Sequence, residues 1–183
     1  QEPQTEVTGI VINGGKINAS GGLNGAGIGG GSRTVGEVTV NGGDITAKGG
    51  GWASGIGGGA NRKATVTITG GTVNAASGTG SSAGIGGGCY AQGSVVTISG
   101  GDITSTASGG SAAIGGSAST VTITGGTIDA TGRNGSAGIG GFWANVTITG
   151  GNVTASGGVG GAGIGAAGGP AGTQPAGRIE ISG

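Results

Sequence analysis

The chain has 183 residues, 55 of them glycine, with 2% aromatic and 8% charged side chains, against about 7% glycine and about 25% charged residues in an ordinary globular domain. Its seven acids balance seven bases, which removes the basic footprint of a nucleic-acid binder or of a protein held on an anionic membrane. Histidine is absent, so neither imidazole catalysis nor imidazole metal ligation is available.

The first segment, residues 1–6, is polar and does not read as a signal peptide, and no later stretch approaches the roughly 20 apolar residues of a membrane span. From Ile10 onward the chain repeats itself: seven Val/Ile-x-Val/Ile runs lead into glycine, as in Val66-Thr67-Ile68-Thr69-Gly70-Gly71. The Gly-Gly corners at 14–15, 42–43, 70–71, 100–101, 125–126 and 150–151 are spaced by 28, 28, 30, 25 and 25 residues. A period in that range predicts a stack of repeats rather than a layered core. Glycine shows no Gly-X-Y period, which excludes collagen, and evenly spaced Val and Ile at a mean hydropathy of +0.15 argue against disorder.

Each unit has three parts, shown by Val121–Thr124, then Thr127–Ala130 after the corner, then Ala137–Gly141. Three short strands per unit predict an all-β fold, a right-handed parallel β-helix with three sheets and about six to seven rungs, forming one domain over residues 1–183. The hand follows the general bias of parallel crossovers. Period-two alternation sends Val66 and Ile68 inward and Thr67 and Thr69 outward. Like residues then stack on like: Ile45, Val73, Ile103, Ile128 and Val153 in one column, and Ile28, Ile56, Ile85, Ile114, Ile139 and Ile164 in another. The last segment, Arg178–Gly183, begins a seventh strand without a polar cap, and the expectation is a segment of a larger extracellular protein.

The acids are too sparse for acid–base work. Asp44 and Asp102 share a column with Thr72 between them, so they stand two rungs apart, roughly 9.6 Å at the spacing of stacked strands, the upper edge for an inverting carboxylate pair. Asp129 stands one column over without a carboxylate neighbour. Calcium bridging through Asp44 or Asp129 is the metal site these acids suggest, yet such sites gather several carboxylates, so no metal, no cofactor and no enzymatic activity are expected. The Gly-rich runs lack the strand–loop–helix setting and the lysine of a phosphate cradle.

The loops after the third strands hold most of the scarce large side chains: Arg33, then Arg62 and Lys63, then Cys89 and Tyr90, then Phe142 and Trp143. With one loop, carrying Ser117, between them, Tyr90 and Trp143 are expected roughly 10 Å apart, a spacing that suits two sugar rings of a polysaccharide, with the bases beside them. Trp52 lies before its third strand and is expected to pack locally, away from this edge. The outward residues of the first strands offer a second surface: Thr39, Thr67, Thr97, Thr122 and Thr147 beside Asn41, Thr69, Ser99, Thr124 and Thr149. Such a flat Thr-x-Thr array resembles ice-binding faces of insect and bacterial solenoids, although threonine favours any exposed strand. Cys89 allows no internal disulfide and, with the uncapped ends, leaves Cys89-linked or end-to-end self-association as the contacts between copies.

The repeat Val66–Ala75 followed by Ser82–Gly88, reading Val-Thr-Ile-Thr-Gly-Gly-Thr-Val-Asn-Ala and Ser-Ala-Gly-Ile-Gly-Gly-Gly, resembles Gly-rich β-helix arrays of large secreted or surface-anchored bacterial proteins. More distantly it is similar to a calcium-containing, polysaccharide-binding β-helix family, from which it departs where Ala-Gly-Ile-Gly-Gly replaces the Asp-rich segment between repeats. The resemblance implies an extracellular, adhesive or carbohydrate-binding role toward polysaccharide or a cell-surface glycan, and carries over no site residue. A pure spacer is the remaining alternative.

Overall fold

The computed structural model describes residues 9–32, 34–168 and 177–183. The chain coils in turns of three strands. The first turn holds β1 (Ile10–Ile12), β2 (Lys16–Ser20) and β3 (Ile28–Gly29), and the second β4 (Gly36–Val40), β5 (Asp44–Lys48) and β6 (Ile56–Gly57). The third holds β7 (Ala64–Ile68), β8 (Thr72–Ala76) and β9 (Ile85–Gly86), and the fourth β10 (Val95–Ile98), β11 (Asp102–Ala107) and β12 (Ala112–Gly115). The fifth holds β13 (Thr120–Ile123), β14 (Thr127–Gly132) and β15 (Ala137–Gly140), the sixth β16 (Asn145–Ile148), β17 (Asn152–Ser156) and β18 (Ile164–Gly165), and β19 (Ile179–Ile181) opens a seventh.

Each strand pairs in parallel with its counterpart one turn away. The result is sheet A (β1-β4-β7-β10-β13-β16-β19), sheet B (β2-β5-β8-β11-β14-β17) and sheet C (β3-β6-β9-β12-β15-β18). This is a right-handed parallel β-helix, the all-β solenoid that the sequence rhythm predicts. At about 4.8 Å per turn the rod is roughly 30 Å long.

Inward residues stack in register, for example Ile45↔Val73, Val73↔Ile103 and Ile103↔Ile128 in sheet B, and Ile56↔Ile85↔Ile114↔Ile139 in sheet C. These ladders form one continuous hydrophobic core. Stiff β-branched side chains suit it because identical rotamers nest from turn to turn. The corners need glycine on two counts. Gly71 has φ +94°, and a Cβ there would sit 2.9 Å from the Gly43 carbonyl oxygen one turn below, so both conformation and space exclude a side chain.

The three sides of the rod are not equivalent. The central strands of sheets A and B alternate buried with more exposed residues, whereas the central strands of sheet C, β6, β9, β12 and β15, are buried on both faces. The two loops flanking each third strand cover it. With only two residues in β6 and β9, these loops come within hydrogen-bonding reach of each other: the Ala60 amide donates to the Asn24 carbonyl (2.9 Å), and the Cys89 amide to the Trp52 carbonyl (3.0 Å).

Candidate functional site

Each third strand is followed by a tight turn that returns the chain to sheet A. In four successive turns of the rod the fourth residue donates its amide to the first carbonyl: Arg62 to Gly59 (3.0 Å), Ala91 to Gly88 (3.1 Å), Ser119 to Gly116 (3.4 Å) and Ala144 to Gly141 (3.4 Å). The third residue of each is left-handed: Asn61 at φ 60°, Tyr90 at 60°, Ala118 at 50° and Trp143 at 54°. A type II turn asks for glycine there. Asparagine tolerates the conformation, but for a bulky side chain it is an outlier costing about 1–2 kcal/mol. Among the described residues glycine occupies eighteen other positive-φ positions, so this chain places aromatic rings where its own habit is glycine.

Tyr90 is 80% exposed and Trp143 41% exposed. Phe142 turns the other way, half-buried against Ala112, Ala137 and Ala167, with its ring 6.1 Å from that of Trp143 and tilted by 55°. The turn that carries Ser117 lies between those of Tyr90 and Trp143, as expected; within it Ala118 takes the equivalent left-handed position, and Ser117 aligns with Cys89 and Phe142 at the second position of the turn. Of the bases, Lys63 is exposed and Arg62 half-buried, its Nε buried without a hydrogen-bond partner among the described residues. Arg33 lies outside the described residues.

Trp52 corrects the sequence reading. Its loop leans over β6 to meet the turn of the next rung, so its ring shares a cleft with Tyr90, Asn24, Ala60, Asn61 and Cys89 instead of packing away from this edge. The ring lies over Gly80, where a Cβ would meet its Cε3 at 2.6 Å. Beneath it Cys89 is 1% exposed, so a Cys89 link between copies requires this turn to open. Burial raises the thiol pKa, an effect only partly offset by hydrogen bonds with Ser81 and Tyr90, which leaves the sulfur protonated at neutral pH and a poor nucleophile.

On sheet A, Thr39, Thr67, Thr97, Thr122 and Thr147 stand in unbroken register between Val11 and Glu180. Beside them the Asn41 amide donates to Asn13 Oδ1 (2.8 Å) and the Thr69 hydroxyl to Asn41 Oδ1 (3.0 Å), at the foot of the column that continues through Ser99, Thr124 and Thr149. A third outward column, which the sequence reading missed, runs Glu37, Thr65, Val95, Thr120, Asn145. The signal was the same alternation extended by one step, which makes Thr65-x-Thr67-x-Thr69 and Thr120-x-Thr122-x-Thr124 three wide.

The acids stay apart. Asp44 and Asp102 both pair with Thr72, one on each side, and Asp44 meets Lys16 Nζ at 3.4 Å in an exposed contact of the kind worth little. Asp129 accepts a 3.4 Å hydrogen bond from Thr131 Oγ1. Among the described residues no three of His, Cys, Asp and Glu gather as metal ligands, and no helix is long and apolar enough to cross a membrane.

No curated protein and no solved structure matches this chain. A family model described as a beta helix repeat matches residues 10–32, 38–60, 66–89, 96–118, 121–141 and 146–169. With most of its length matched, turn by turn, the chain belongs to the β-helix repeat family.

Proposed function

We propose that this β-helix repeat protein is a non-catalytic, extracellular carbohydrate-binding module that holds polysaccharide or a cell-surface glycan along its turn edge through Tyr90 and Trp143. One observation carries the reading: both rings occupy left-handed positions that glycine would fill without strain. Strain of this kind concentrates where a side chain is needed for contact with a ligand. Exposed aromatic faces suit the C–H faces of sugar rings, with the hydroxyl rim left to polar neighbours such as Asn61. The extracellular setting rests on the resemblance of the repeats to surface-anchored bacterial arrays.

Retention in affinity electrophoresis tests the reading. Tyr90→Gly and Trp143→Gly fit the turn while removing the ring, and by analogy with aromatic stacking on bases each should cost about 1–3 kcal/mol of binding. If both variants keep the wild-type retention, the reading fails.

A second reading, ice binding, is favoured by the unbroken register of five threonines on sheet A. Methyls and hydroxyls repeat there about every 4.8 Å along the rod and about every 6.6 Å along each strand, a lattice able to order water. Thermal hysteresis with faceted ice crystals, abolished in Thr122→Tyr, would support it; round crystals without a freezing gap would end it.

A further inference from the structure

The turn edge is a groove rather than a row of rings. Two clefts succeed one another along the rod, and Tyr90 lines both. The first, about 250 Å³, lies between Asn24 of the first turn of the rod, Trp52, Ala60 and Asn61 of the second, and Cys89 and Tyr90 of the third. The second, about 240 Å³, continues from Tyr90 and Ser81 through Ser111 and Ser117 to Phe142. The clefts are thus offset by about two turns, roughly 9 to 10 Å, and the groove runs parallel to the rod axis.

We propose that this groove takes a neutral glycan lengthwise, with sugar units seated on each side of Tyr90 and Trp52 forming the second aromatic wall of the first cleft. The inference rests on the reading of this edge as a carbohydrate site and names its ligand class and its further contact residues. Three features support it. Each cleft is smaller than the roughly 300–1,000 Å³ of drug-sized sites, which fits a single sugar unit rather than a longer ligand folded into one cavity. The backbone of the first is held before any ligand arrives, because the Cys89 amide is bonded to the Trp52 carbonyl and the Ala60 amide to the Asn24 carbonyl, so little backbone ordering cost remains. The lining chemistry is that of an uncharged sugar. Trp52 and Tyr90 give apolar faces, Asn24 and Asn61 are exposed amides able to donate and accept, and Ser81, Ser111 and Ser117 add hydroxyls. Among the described residues lining the two clefts none is charged, whereas uronate or phosphate recognition is served by Arg or Lys.

Isothermal titration of the whole chain with cellohexaose, xylohexaose and mannohexaose, beside oligogalacturonate and oligoalginate of equal length, tests the inference. Trp52→Ala, Asn61→Gly, Tyr90→Gly and Trp143→Ala are compared, each checked for an unchanged melting transition. Asn61→Gly keeps the left-handed turn while removing the amide. A neutral oligosaccharide should bind and the acidic ones should not. Loss of one stacked ring should weaken binding about five- to a hundredfold, with Tyr90→Gly the most damaging because it opens both clefts. Weakening by Trp143→Ala with no effect of Trp52→Ala or Asn61→Gly would overturn the groove and leave the edge reading standing. Preference for the acidic oligosaccharides would overturn neutral recognition and also leave it standing. Absence of binding to every oligosaccharide would remove both.

Discussion

The outer face of sheet A says the same thing in five successive turns: threonine over threonine at the centre, Asn, Thr or Ser on the side toward the Gly-Gly corner, and an inner ladder of Val and Ile that accounts for the spacing. The turn edge shares the rod and the period, yet Asn61, Tyr90, Ala118 and Trp143 differ at one equivalent position, and three of them strain the backbone, two with an aromatic ring. A regular face is fully explained by the requirements of stacking, whereas an edge that departs from its own repeat at a conformational cost is not. The departures therefore carry the functional information in a chain this repetitive.

The sharpest way to break this contrast is to damage what the two regions share. Ile114 is fully buried at the middle of its ladder, so Ile114→Ala should cost about 2–5 kcal/mol of stability in urea unfolding and disturb sheet A and the turn edge alike. A loss below about 1 kcal/mol would mean that the ladder repacks and that the core is not the common support.

Next in size is the separation of binding from stability at the edge. Tyr90→Gly should lose about 1–3 kcal/mol of glycan binding while the melting temperature holds, since relief of left-handed strain offsets the added freedom of glycine in the unfolded chain. A clear fall in melting temperature would instead make the ring a packing element. Ala118→Gly, in the same column without a ring, isolates the backbone part and should raise stability by up to about 1 kcal/mol.

The smallest expected effect belongs to Cys89. Its pKa is raised in the folded state by burial, so the folded chain holds a proton that the unfolded chain releases. This contribution is complete below the free-thiol value of about 8.5 and is lost as pH rises through the folded pKa. The urea midpoint of the wild type should therefore decline from pH 8 to 10 more than that of Cys89→Ala, and native-state alkylation should be slow at pH 7.5. Rapid alkylation without denaturant would show the turn over Cys89 to be open.

The fold was legible because alternation and period both repeat: the columns of Ile and Val, the corners at Gly71 and its equivalents, and the start of a seventh strand at Ile179 all lie where the spacing puts them. The edge was half legible. Tyr90 and Trp143 follow the third strands and could be placed, but Trp52 meets Tyr90 through a loop of one turn touching the turn of the next, a contact that no periodicity encodes. Burial of sheet C on both sides was hidden because period-two alternation turns glycines such as Gly57 and Gly86 toward solvent, whereas the flanking loops cover them.

The unequal unit lengths have a consequence for how such a molecule can change. Units of 25 to 30 residues keep their ladders in register because the difference is absorbed in the loops beside sheet C. Differences in loop length there leave the stacking intact. Each coil of the rod can thus change the length of its loops without disturbing the ladders, and where loops of neighbouring coils meet, as at Trp52 and Cys89, the two must change together.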